Sequence, residues 1–257
     1  MRQAAKQVLL STILFFRRTG AGTVAREGFE SHGPDKSGDS AMADAAQRQR
    51  KLAAKAARRK AAVAEKKKKE GMSTSLAGRI RMAAKGPIVH CLMPTNLFEA
   101  GIGNVLVARR LPSGMLGCAW FLVDVFCLGV KDIFYREVSE AELRSRLEAL
   151  SETQEFVEVE PTRARRLIRD AAAYAAGLGL PAAKDTPVIE AIFGDFNASA
   201  CTETFTFGKD GKPFYVSGPY DTPARIRTIG QTLEKSCGTG NWDYMVEVPG
   251  GRISVGQ

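Results

Sequence analysis

The sequence predicts an α+β fold: a single domain with a mostly antiparallel sheet packed with about four helices. The sheet is expected from an early hairpin, a later hairpin and a C-terminal strand, and a disordered or helical basic arm precedes it. Three observations carry this expectation. Strand candidates cluster early and helices fill the middle, without the regular βαβ alternation of a doubly wound sheet. Pro112-Ser113-Gly114 is turn chemistry between two apolar runs, which makes them a hairpin. The run CAWFLVDVFCLGV, residues 118–130, is almost continuously apolar, as a strand covered on both faces should be.

In chain order, Ile88 to Leu92 is a short apolar strand. Asn104 to Leu111 and Leu116 to Val130 are the arms of the first hairpin, and Ile133 to Val138 is a further strand. Ser139-Glu140-Ala141-Glu142 is a capping box, with Leu143, Leu147 and Leu150 following at helical spacing. Pro161 sits at a first helical position, ahead of a face made by Leu167, Ala171, Tyr174, Ala175 and Leu178. Gly177 to Pro181 stops that helix. Thr186-Pro187 begins a shorter one, running to about Phe193. Thr204 to Phe207 and Pro213 to Ser217 flank Lys209-Asp210-Gly211 as the second hairpin. Thr222-Pro223 opens a third long helix with the stripe Ile226, Ile229, Leu233. In the closing strand, Trp242, Tyr244, Val246 and Val248 alternate with Asp243, Met245 and Glu247.

The charge divides the chain more sharply than its +9 total suggests. Residues 1–41 hold 6 basic and 4 acidic side chains, net +2; residues 42–86 hold 14 and 3, net +11; residues 87–257 hold 17 and 21, net −4. A mildly acidic globular part, 87–257, therefore follows a strongly basic arm, 42–86, and a polyanion would meet the arm first. Eleven of the fourteen cations fall between Arg48 and Lys69: Arg48, Arg50, Lys51, Lys55, Arg58, Arg59, Lys60, Lys66, Lys67, Lys68 and Lys69. Ala, Lys, Arg and Gln are good helix formers. With only Leu52 and Val63 as larger aliphatics between residues 43 and 70, though, no stripe exists to dock on a core. Such a segment is a fraying helix or coil when free and orders against phosphate, which fits a nucleic-acid or ribosome partner. The plainer alternative is a solubilising tail.

Residues 1–41 read as an extension, expected to be disordered. Arg2, Lys6, an apolar run from Val8 to Phe16, and Arg17-Arg18 partly match a mitochondrial transit peptide. The expected location is cytoplasmic, or mitochondrial if that match is genuine. No run approaches the ~18 apolar residues of a membrane span.

The basic arm, then GIGNVLVARR (101–110), FLVDVFCLGVKD (121–132) and FTFGKDGKPFYVSGPYDTPARIR (205–227), together resemble a family of uncharacterised bacterial proteins. The likeness runs from about Arg48 to Val246. It implies a start near Met42 and these boundaries, and supplies no mechanism.

Among residues that could carry chemistry, Asp124 stands inside WFLVDVFCL, on the face of Leu122 and Phe126 by period-two counting. A carboxylate there must find a partner or protonate. Lys131 and Asp132 lie just beyond, and Arg109 and Arg110 on the paired strand. One expectation is a catalytic or metal-binding carboxylate, as in a hydrolase- or nuclease-like enzyme, with Asp132 beside it and Lys131 or Arg109 tuning it. The other is a structural ion pair or a carboxylate bonded to backbone amides. His90 and Cys91, adjacent in one strand, point to opposite faces, and the cysteines show no metal-ligand spacing, so no metal is expected. Gly101-Ile102-Gly103-Asn104 lacks the third glycine of a dinucleotide fingerprint, and no cofactor is expected. Lys209, Lys212, Tyr215, Tyr220, Arg225 and Arg227 interleave cations with aromatics, as single-strand binding requires. The plainer alternative is a solvated hairpin with one aromatic turned inward. The sequence thus favours a binding module over an enzyme, because the arm explains the charge division and Asp124 explains one residue.

Overall fold

The computed structural model describes residues 54–55, 57–60, 75–248 and 251–255, with backbone only at 247–248 and 251–255. The expectations for residues 1–41, and for Arg48, Arg50, Lys51, Lys66, Lys67, Lys68 and Lys69, lie outside the described residues. Residues from Leu76 onward and the described arm residues fall in separate compact units.

The larger unit is α+β. Its elements are α1 (Leu76–Ala83), β1 (Ile88–Pro94), α2 (Leu97–Ala100), β2 (Ile102–Arg110), β3 (Leu116–Asp124), β4 (Gly129–Val138), α3 (Glu140–Ser151), β5 (Phe156–Glu158), α4 (Pro161–Gly177), α5 (Thr186–Glu190), β6 (Phe214–Val216), α6 (Pro223–Cys237), β7 (Asp243–Val248) and β8 (Gly251–Val255). A five-stranded antiparallel sheet has the order β4-β3-β2-β1-β5. A small sheet, β6-β7-β8, pairs its first two strands in parallel.

Alternation in β2 and β3 fills two cores. Val105, Val107, Ala119, Phe121 and Val123 pack with Ile80 and Ala83 of α1, Leu167, Ile168 and Ala171 of α4, and Ile192 and Phe193 beyond α5. On the other face Leu106, Ala108, Leu116, Cys118 and Trp120 pack with Leu143 and Leu150 of α3. Every residue of β3 is buried, which is why its letters are apolar on both parities. The Ser139 hydroxyl accepts the Glu142 N–H and caps α3.

Three differences from the sequence expectation have physical causes. First, Leu116 to Val130 is not one strand. It breaks after Asp124, whose Oδ1 accepts the N–H groups of Phe126 (3.0 Å) and Cys127 (2.9 Å) and turns the chain. Gly129 re-enters the sheet at φ +61, where a Cβ would stand 2.4 Å from the Ala171 carbonyl oxygen, so only glycine fits under α4. Second, the later hairpin keeps its turn but not its ladder. Asp210 and Gly211 take positive φ and Lys209 bridges Lys212, yet residues 204–207 form no strand. Phe205 and Phe207 pack on the core instead, and the Gly208 and Phe214 N–H groups donate to the carbonyls of Val125 and Phe126. Third, α1 falls within the stretch read as arm, 42–86, but Ile80 and Ala83 are fully buried in the main core.

Candidate functional site

The described arm residues 54–55 and 57–60 are helical and exposed, with Lys55, Arg58, Arg59 and Lys60 among them. Three consecutive cations, Arg58-Arg59-Lys60, are spread 100° apart around the helix. Most directions of approach therefore meet a positive charge.

The globular candidates are not brought together as one surface. Tyr215 is 1% exposed, and its hydroxyl donates to Asp221 Oδ2 at 3.0 Å. It is therefore not a stacking surface, because its ring fills the core of α6 with Ile229 and Leu233. Lys212 Nζ donates to the Gly240 carbonyl, and Lys209 Nζ lies 4.6 Å from the centre of the Phe214 ring. Tyr220, Arg225 and Arg227 are exposed.

Asp221 is the centre of a buried charge cluster. Its side chain is 5% exposed and meets Lys131 Nζ at 3.6 Å; that lysine's side chain is 9% exposed. Asp221 also accepts the Gly218 N–H at 2.7 Å, and its Oδ1 stands 3.2 Å from Arg225 Nε. Gly218 leaves this space, since a Cβ would lie 3.1 Å from Lys131 Nζ. Lys131 is thus committed to Asp221, the nearest partner the geometry offers it. Asp221 was not singled out from the sequence. Its signal is the Asp-Thr-Pro at a helix start, where Thr222 Oγ1 accepts the Arg225 N–H as the cap.

Asp124 lies at the end of β3, 4% exposed. Burial pushes its carboxyl above the usual range, opposed by the Lys131 charge and by the N–H groups of the turn that follows. Asp132 has turned to its own strand, Oδ1 accepting the Ile133 N–H at 2.8 Å. Arg109 cannot tune Asp124. In the β2–β3 register Asp124 pairs with Ile102 while Arg109 pairs with Gly117, seven positions along β3. That separation is about 23 Å at the rise of a strand. Arg109 is instead a buried fastener: Nε donates to the Ile192 carbonyl, Nη1 to those of Ala84 and Gly86, and Nη2 to that of Phe193. Burial lowers its pKa from the ordinary value, against the pull of Asp195. Arg110 lies at the surface beside Glu140, 3.1 Å away.

The His90 and Cys91 pair does not assemble. His90 Nδ1 is 3.6 Å from Glu158, while the Cys91 thiol is buried on the other face and pushed up to about 12 by that burial. Cys118 is likewise pushed up to about 12. Among the described residues no three His, Cys, Asp or Glu side chains gather as metal ligands, and no helix is long and apolar enough to cross a membrane. The chain matches no protein-family model, no curated protein and no solved structure.

Proposed function

We propose that the protein is a binding module that associates with nucleic acid (RNA, free or within the ribosome, or DNA) through the basic arm. The observation that supports this best is the charge division: with α1 assigned to the globular unit, residues 42–75 hold 11 basic and 3 acidic side chains, net +8, against 20 and 21, net −1, over residues 76–257. The exposed helical cations Lys55, Arg58, Arg59 and Lys60 agree with it. The enzyme reading draws on Asp124, a carboxylate sealed at the end of β3 with one oxygen committed to two amides of its own turn. The cytoplasm is the compartment this reading expects, with the mitochondrion as the alternative if residues 1–41 act as a transit peptide.

Ultraviolet crosslinking of the full chain in cells tests the proposal. The parent should carry crosslinked nucleic acid, and a variant with Lys55, Arg58, Arg59 and Lys60 changed to Gln should carry much less. Equal yields from the two would overturn it.

A further inference from the structure

The loop from Ser217 to Asp221 and the first turn of α6 hold a feature that the buried cluster does not use. Tyr220 is 58% exposed, the most of any large hydrophobic side chain among the described residues. One residue later, Asp221 faces two cations, Lys131 at 3.6 Å and Arg225 at 3.2 Å. Lys131 is sealed and its charge also acts on Asp124, whereas the side chain of Arg225 is 55% exposed, so Arg225 is the cation of the cluster that the surface presents. Asp221 stands against Nε, and no described residue accepts a hydrogen bond from the two Nη groups of Arg225. The guanidinium is thus tethered by an ion pair at Nε while more than half of its side chain is open to solvent. A guanidinium with both Nη groups free can meet a phosphate bidentately. The backbone amide of Arg225 plays no part in this, because Thr222 Oγ1 already takes it. Arg227 stands apart: two residues further along a helix is 200° of rotation, so Arg225 and Arg227 flank the buried stripe on opposite sides.

We propose that Tyr220 and Arg225 form a nucleotide subsite for single-stranded nucleic acid, the ring stacking on a base and the guanidinium holding a neighbouring phosphate. This rests on the arm reading. The arm supplies charge without regard to strandedness, and the subsite supplies preference for unpaired bases, whose faces a duplex hides.

The test uses the full chain with a labelled oligouridine single strand and a duplex of the same length. Tyr220→Ala should weaken single-strand binding roughly 5- to 150-fold, the range for one stacked base, and leave duplex binding unchanged. Arg225→Gln should also weaken single-strand binding, Tyr220→Phe should match the parent, and Arg227→Gln should fall well short of Arg225→Gln. Parent-like single-strand affinity in Tyr220→Ala or Arg225→Gln, or an equal loss on both probes, overturns the subsite alone. A parent chain that binds neither probe overturns the arm reading and the subsite together.

Discussion

At the scale of single residues, two aspartates show how the fold accommodates buried charge. Asp124 is stabilised by short-range geometry: its Oδ1 takes the Phe126 and Cys127 amides. Asp124→Ala strands both, at about 1–3 kcal/mol for each unsatisfied buried donor, while Asp124→Asn keeps an acceptor and should cost less. Urea unfolding of the two variants checks the order. The pH dependence follows from the raised carboxyl. A folded pKa above the unfolded value of about 3.9 means the native state holds the proton more tightly. The contribution is then full below about pH 3.9 and is lost as pH rises through the folded pKa. Relative to Asp124→Asn, the parent should lose stability as pH rises from 4 towards 7; a relative gain would show the ionised form to be net stabilising. Asp221 behaves differently, because Asp221→Ala leaves Lys131 buried without its partner. Breaking such a pair costs about 3–5 kcal/mol, and Lys131→Met with Asp221→Leu together should recover part of it. Asp124 was legible as unusual because a charge interrupts an apolar run. Bonding to backbone amides was one of the expectations for it, but which amides was not legible, since they leave no letter in a sequence, and the Asp221–Lys131 contact joins residues ninety positions apart.

At the scale of elements, the strands and long helices followed from periodicity and caps, and the misreadings came where one local rule hid another. Apolar letters on both sides of Asp124 looked like one long strand, because a buried turn in a core uses the same alphabet as a buried strand. Gly129 was the available signal. Gly129→Ala must place a Cβ 2.4 Å from the Ala171 carbonyl oxygen at φ +61, and should cost at least about 2 kcal/mol, from positive-φ strain and overpacking together. An Ala variant as stable as the parent would show that α4 does not press on this turn. The helix α1 was hidden by the cations around it, Arg79, Arg81 and Lys85, which read as more arm. A chain beginning at Ser75 should therefore be clearly more stable than one beginning at Pro87. The shorter chain loses the burial of Ile80, about 1.5–3 kcal/mol, and the Ala84 and Gly86 carbonyls that Arg109 uses. Equal thermal unfolding of the two would place α1 outside the core.

At the scale of the whole molecule, the division of charge was legible by counting, but its boundary was not, because α1 and the residues just after it move three cations from the arm to the globular unit. The internal wiring of the globular part was not, because it depends on which strand ends meet. Residues 42–75, ahead of α1, carry the net +8 that the proposed association uses. The most direct measurement of that association is the salt dependence of affinity for the full chain. If the arm engages about six phosphates, log K against log salt should fall with a slope of about −4 on single-stranded RNA and about −5 on duplex DNA. The variant with Lys55, Arg58, Arg59 and Lys60 changed to Gln should show a clearly shallower slope on both. An unchanged slope in that variant, or a parent slope near zero, would contradict the account.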